Sequence, residues 1–363
     1  MIRSSKHILK FANKSKMVKY QDMLDCYGRL LQHYIDLIWD KKLPHRTLLN
    51  SKELPDFEDI AHSQWKQVAY KQASSILRTR FKKKKVKFSK PEIKNITIEL
   101  DVRLFNIVAG NHFNSFIKIR TPFFHPHKKR AISINIPIKN HKHSNLLELR
   151  GFKKRNTIIL KKDTIGFVWE KEDIPKKSEG INIGLDTGYK KLIAASNGKT
   201  YGSDMANIYE KISSKRQGSK AFKRSLKERD NKINQIVNQF VKDNQDLKTL
   251  IVEDLVNVKH KSKGKIRKEF NNKMQRWSYP KLLTALERHS EAEGFELRKV
   301  NPAYTSQTCS RCGVIKKENR KGESYSCSCG LEMDADLNAS INILRRGVYS
   351  PPSSKPVEVV ITK

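Results

Sequence analysis

The sequence predicts a multidomain α+β protein, and three observations carry that reading. Apolar residues at helical spacing near the N-terminus give way to period-two alternation across residues 86–175. After Pro175 the order becomes strand, hairpin, helix, strand, helix, strand, which implies a mixed sheet flanked by helices. Four of the five cysteines then crowd into residues 309–329. At 363 residues the chain is long enough for two or three cores, and no internal repeat is evident.

The elements follow in order. Leu24, Tyr27, Leu31, Ile35 and Ile38 predict a helix over residues 18–40, and Trp65, Val68, Ala69, Ile76 and Leu77 predict a second. Between them "KKLPHRTLLNSKELPDF" reads as a loop broken by Pro44 and Pro55. The lysine run at residues 82–85 closes this helical insertion; it suits a solvated face or a phosphate contact. Ile96, Ile98, Leu100, Val102 and Leu104 alternate as a half-buried strand does. Ile132, Ile134, Ile136 and Ile138 do the same, with Pro137 marking an edge or bulge. Ile165, Phe167 and Trp169 give another strand. This region is expected to be an antiparallel barrel, to which "HILKF" near the N-terminus adds one strand. "GINIGLDTGYKKLIAASNGKTYG" supplies two strands and a turn at Asn197-Gly198. Residues 205–245 read as helical and densely basic, with "LKTLIVEDLVNV" a buried strand ending in acids. "SYPKLLTALERHSEAEG" is a helix opened by Pro280 and closed by Gly294, and "FELRKVNP" is a strand. The tail, residues 347–363, is rich in Pro and Ser and is expected to be disordered.

Charge narrows the function. The formal net charge is +37, from 74 Lys and Arg against 37 Asp and Glu. Such a field attracts phosphate backbones over long range, so nucleic acid is the expected partner. A ribosomal or merely soluble basic protein, or one bound to a membrane surface, also fits charge alone. No apolar stretch approaches the ~20 residues of a membrane span. The opening "MIRSSKHILKFANKSK" lacks a signal-peptide core and cleavage site. The expectation is a soluble cytoplasmic protein, associated with the nucleoid if prokaryotic, with no membrane partner. Cys26 stands alone in a helical pattern and reads as a small core residue.

Three acids end or open buried elements. Asp186 follows "INIGL", Glu253 follows "TLIV", and Asp336 opens "DLNASINIL". Strand-end acids often simply face solvent, and an Asp in the first turn of a helix is commonly a cap or dipole partner. Together they permit a second reading, in which carboxylates from two strands and a helix converge. Such a cluster repels itself unless a hard cation such as Mg²⁺ neutralises it. Two Mg²⁺ ions ~3.5–4 Å apart can cut a phosphodiester.

Cys309 and Cys312 form C-x-x-C; after fourteen intervening residues come Cys327 and Cys329, and a Gly follows each pair. Four thiolates in two knuckles suit structural Zn²⁺, with disulfides or free thiols as the alternative. The second knuckle is one residue shorter than C-x-x-C. The last ribbon strand runs directly into the helix of Asp336, so a soft-metal clip and an oxygen-ligand site adjoin.

In this order, "GINIGLDTGYKKLIAASNGK", "LIVEDL", "NPAYTSQTCSRCG" and "CGLEMDADLNASINIL" resemble the TnpB family. Its members are transposon-associated RNA-guided nucleases related to compact type V CRISPR effectors. The resemblance is specific over residues 181–346 and holds only in layout before them. It implies an RNase H-like (RuvC) nuclease domain at 181–300 and 333–346, with a zinc ribbon inserted at 301–332. It also implies a β-barrel wedge domain at 1–16 and 83–180, carrying a helical recognition insertion at 17–82. Asp186, Glu253 and Asp336 match the three catalytic acids that hold Mg²⁺, and Asp334 stands where the family varies. Guide RNA and target DNA are the implied partners, held by the helical insertion, the wedge and the basic helix at 211–229; base pairing would read the target sequence. A CRISPR-associated effector of the same chemistry, and an RNA-guided repressor that no longer cuts, are the competing readings. Repressors of that kind are expected to lack one or more acids, and all three are present.

Overall fold

The structure is a computed structural model. It describes every residue except 58–59, 61, 83–88, 126, 256–277 and 350–363, and the side chains of 128 and 129 are likewise not described. The chain divides into two units, Met1–Glu172 and Asp173–Lys363.

The first unit runs β1 (Ile2–Ile8), α1 (Lys14–Trp39), α2 (Gln64–Phe81), β2 (Ile98–Asp101), β3 (Phe105–Ala109), β4 (Ser115–His125), β5 (Lys128–Ile138), α3 (Lys142–Leu149), β6 (Lys153–Lys161) and β7 (Thr164–Glu170). Asn13 caps α1 by accepting from the Lys16 N–H at 2.9 Å. The face of α1 that carries Tyr20, Leu24, Tyr27, Leu31, Tyr34 and Ile38 is buried, and Cys26 packs there as a core residue. β1 pairs antiparallel with β7 from Ile2 opposite Glu170 to Ile8 opposite Thr164. α1 and α2 therefore lie in the chain between two strands, β1 and β2, of one sheet.

Several expectations are corrected. The β-domain is not one continuous barrel ladder: among the described residues its strands form a four-stranded sheet, β1-β7-β6-β2, and a three-stranded one, β3-β4-β5. The cause is visible in the strand expected over 96–104. A turn closed by Leu104 N–H on Asp101 O (3.0 Å) ends β2 and exposes Val102. The N-terminal strand lies at Ile2–Ile8, before most of "HILKF", because Asn13 already starts α1. Pro137 does lie on an edge strand, opposite Phe116. The long helix expected over 205–245 is two helices, separated by a turn in which Gly218 takes φ +82°. Lys82 is exposed; the rest of the 82–85 run lies outside the described residues.

The second unit runs β8 (Ile181–Asp186), β9 (Ile193–Ala195), β10 (Thr200–Tyr201), α4 (Met205–Ser213), α5 (Lys220–Asp243), β11 (Leu247–Glu253), α6 (Tyr279–Glu293), β12 (Glu296–Val300), the short strands β13 (Arg320–Lys321), β14 (Ser324–Ser326) and β15 (Glu332–Asp334), and α7 (Ala335–Tyr349). The sheet order is β10-β9-β8-β11-β12. β11 is parallel to both β8 and β12, whereas β8–β9–β10 is an antiparallel meander turning at Gly198. This is the expected mixed sheet. The unit begins before the expected boundary at residue 180. Lys177 N–H already donates to Gly294 O at 2.8 Å, and Lys176 Nζ to Phe295 O at 2.8 Å. Its other end is also corrected. Residues 347–349 belong to α7, not to a tail, because Gly347 packs against Ile251 and its carbonyl accepts from Arg298 at 2.6 Å. The remainder of the tail lies outside the described residues.

α7 lies directly on the sheet because Gly184 lets it. A Cβ at Gly184 would come 2.2 Å from Ser340 O and 2.4 Å from Leu344 N, both helix backbone. Neither atom can move without shifting the helix. Gly184→Ala is therefore expected to destabilise the fold by about 3 kcal/mol or more, read as a lower urea midpoint. An unchanged midpoint would refute the close crossing.

Candidate functional site

The crossing at Gly184 sets the geometry of the acids. Asp336 lies one helical turn before Ser340, and Asp186 two residues beyond Gly184, so both leave the crossing by about 6 Å. β11 brings Glu253 to the same end, since Val252 is opposite Leu185. There the charges of Glu253 and Asp336 act on Asp186. Burial, with the nearby charges of Glu253 and Asp336, pushes Asp186 up to about 7, against the pull of Arg320 and the Thr187 N–H. Burial also raises Glu253, opposed by Thr305, Arg346 and Arg320. All three acids are half-buried.

Neighbouring groups fix each carboxylate. Thr187 N–H donates to Asp186 Oδ1 at 2.9 Å. Thr305 Oγ1 donates to Glu253 Oε1, and the Tyr279 hydroxyl to the Glu253 backbone carbonyl. Arg320, on ribbon strand β13, donates to Asp336 Oδ1 at 2.9 Å. Asp334 does the capping: its Oδ1 accepts from the N–H groups of Asp336 and Leu337 at 3.0 and 3.1 Å, and its Oδ2 from Lys191 at 2.6 Å. That leaves Asp336 free of the cap role its position in the helix suggests.

The donor set suits a hard cation. Three oxygen-ligand side chains lie at one end of the sheet, burial and then the charges of Glu253 and Asp336 raise Asp186, and the buried Thr187 Oγ1 beside it has no hydrogen-bond partner among the described residues. The raised pKa has a measurable consequence. A carboxyl whose folded pKa is raised binds its proton more tightly when folded, so stability falls as pH rises from the ordinary Asp range towards 7. Without metal, Asp186→Asn should be more stable than the wild type at pH 8. The gain should be at most about 4 kcal/mol, less after screening at the exposed edge. It should vanish near pH 4, and a gain that ignores pH would contradict this origin.

The cysteines also converge. Their four sulfurs lie within 4.8 Å of one another, with Cys309–Cys329 at 3.6 Å and Cys312–Cys327 at 3.7 Å. Ligands ~2.3 Å from a tetrahedral centre sit about 3.8 Å apart, so the spacing fits a structural Zn²⁺. The short second knuckle still closes, with Gly330 N–H on Cys327 O at 2.9 Å. The backbone N–H of Cys329 holds the Cys327 thiol low, at about 6.

Two asparagines that the sequence reading passed over tie this ribbon to α7. Asn338 Oδ1 accepts from Ser310 N–H at 2.9 Å, and Asn338 Nδ2 donates to Thr308 O at 2.8 Å. Asn342 Nδ2 reaches Thr305 O at 3.0 Å and Thr308 O at 2.6 Å. Thr305, Arg320 and Tyr279 were passed over as well. The signal for the asparagines lay in "DLNASINIL", where Asn recurs at i, i+4 on an otherwise apolar helix face.

With this geometry in place, the comparisons become specific. Residues 279–343, from α6 through the ribbon into α7, match the family model "Cas12f1-like, TNB domain". The CRISPR-associated endodeoxyribonuclease Cas12f1 of Sulfoacidibacillus thermotolerans is 38% identical over 97 residues, 26% of this chain and 21% of that protein. TnpB-like protein MJ0751 of Methanocaldococcus jannaschii is 24% identical over 248 residues, 60% of this chain and 87% of that protein. Over these stretches the chain is similar to Cas12f1 and TnpB-like proteins. The fold agrees: the Cas12f1 chain of a Cas12f1–sgRNA–target DNA complex superposes with a TM-score of 0.56 over 90% of this chain and 81% of that one, at 16% identity. No helix among the described residues is long and apolar enough to cross a membrane.

Proposed function

We propose that the chain is an RNA-guided DNA endonuclease that hydrolyses target phosphodiesters at Asp186, Glu253 and Asp336. The convergence of these acids from β8, β11 and α7 carries the reading. Relatives named as endodeoxyribonucleases and a fold shared with an sgRNA- and DNA-bound effector support it. Two Mg²⁺ ions held by the acids would neutralise the cluster and supply Lewis-acid stabilisation to the reacting phosphate. The chain's own residues do the rest. Thr187 and Thr305 orient two carboxylates, and the zinc-clipped ribbon holds α7 through Asn338 and Asn342. Arg320 brings a guanidinium to the same spot, where a phosphate would meet it once a cation takes its place on Asp336.

The +37 charge supplies the grip on guide RNA and target DNA, which base pairing then makes specific. Protein purified at moderate salt should carry one discrete RNA species whose sequence is encoded near its own gene. Binding should weaken steeply with salt, log K falling by about 0.7 per phosphate contact on a single strand. Protein that carries no discrete RNA, and fails to bind one transcribed from its own locus, would rule the guided reading out.

A further inference from the structure

The helical insertion carries a cavity of about 410 Å³ lined by His45, Arg46, Arg78, Phe81 and Lys82. Three of these side chains are permanently cationic at neutral pH, and among the described residues no carboxylate lines the cavity to offset them. Another cavity, between α4 and α5, differs: its lining acids Asp204 and Glu228 are already paired with Lys232 and Lys211.

The cationic cavity is a built feature. Tyr70 OH donates to Pro44 O or to Thr47 O, at 2.5 and 2.8 Å, while Arg78 donates to His45 O at 2.8 Å and to Arg46 O at 3.1 Å. These bonds hold the loop 44–47 against α2 and set His45 and Arg46 over the helix end. Phe81 forms an apolar floor, stacked on Trp39 at 5.9 Å and met edge-on by His45 at 5.1 Å. Arg46 and Lys82 are exposed, and among the described residues neither is in an ion pair.

We propose that this cavity binds one nucleotide unit of a single-stranded nucleic acid, the phosphate against Arg46 and Lys82 and the sugar or base over Phe81 and His45. Its volume falls within the ~300–1,000 Å³ of small-ligand sites. Uncompensated cations beside aromatic rings are the combination that single strands use, charge for the backbone and a ring for the base. A duplex offers its phosphates on a convex surface with the bases stacked away, so a flexible strand fits the concave site better. The proposal rests on the guided-nuclease reading only for the supply of the strand, which is RNA or DNA.

The test uses the full chain stripped of nucleic acid and short 4-thiouridine RNA and 4-thiothymidine DNA strands, photocrosslinked and mapped by mass spectrometry. Crosslinks are expected on the peptides that carry His45 or Phe81. Arg46→Ala with Lys82→Ala should remove them and make the salt slope of binding shallower by about 1.4, two contacts at ~0.7 each. Lys52→Ala with Lys162→Ala, an equal loss of exposed charge elsewhere, should leave those crosslinks in place. Arg78 is left intact because its loss would release the loop. Crosslinks with both strands mean that any single strand supplies the phosphate, and crosslinks with one alone identify that source. Competition by a free nucleoside monophosphate at equal concentration would overturn the strand-bound form. Crosslinks confined to other peptides, or unchanged in the double variant, would overturn the site altogether. No outcome depends on cleavage, so failure here is distinguishable from failure of the nuclease reading.

Discussion

Asp186→Ala is expected to keep guide and target binding while cleavage falls at least about a thousandfold. The carboxylate ends β8, and burial together with the charges of Glu253 and Asp336 makes its own charge costly there, as its raised pKa shows. Removing it relieves repulsion, so the metal-free variant should be no less stable than the wild type at pH 8. Lost activity is then lost chemistry and not unfolding. Glu253→Ala and Asp336→Ala should behave alike, and double variants should be little worse than singles, because groups that act together are not additive. EDTA should abolish cutting by the wild type and Mg²⁺ restore it. The assay follows binding and cleavage of labelled target in parallel, with guide RNA present. Near-normal cutting by Asp186→Ala would sink the assignment, and loss of binding together with cutting would make the acid structural.

The strand ends at Asp186 and Glu253 were legible because burial leaves a signature in sequence: an apolar run such as "TLIV" that stops on Glu253 announces a strand end. What brings the acids together was not. The Gly184 crossing depends on backbone atoms of a helix more than 150 residues away along the chain, which no local period encodes. Four cysteines at knuckle spacing foretold the cluster, because ligand chemistry restricts spacing tightly. Arg320 sat in the same ribbon as one more cation in a chain with 74, and only its 2.9 Å contact with Asp336 separates it from a solvated charge. In the N-terminal unit the alternating isoleucines marked β5 well. The turn at Asp101 was hidden because Val102 and Leu104 continue the alternation while the backbone does not.

Cys309→Ser should reduce cleavage by about ten- to a hundredfold without touching an acid, an effect of the size seen when groups that orient metal ligands are lost. Cys309 precedes Ser310, whose N–H is held by Asn338, and follows Thr308, whose carbonyl accepts from both Asn338 and Asn342. The same segment begins at Thr305, which donates to Glu253, and the facing hairpin carries Arg320, which donates to Asp336. Loosening one knuckle therefore slackens contacts to two of the three acids. The wild type should contain about one Zn²⁺ per chain by elemental analysis, the variant little. The variant should also need more Mg²⁺ for half-maximal cutting, since poorly oriented carboxylates bind the ion less well. Added Mg²⁺ should rescue it in part, whereas Asp186→Ala should not recover at any concentration. That contrast separates a positioning defect from a missing ligand. Full activity at ordinary Mg²⁺ in protein shown to be free of zinc would mean that the ribbon neither binds the metal nor braces the site.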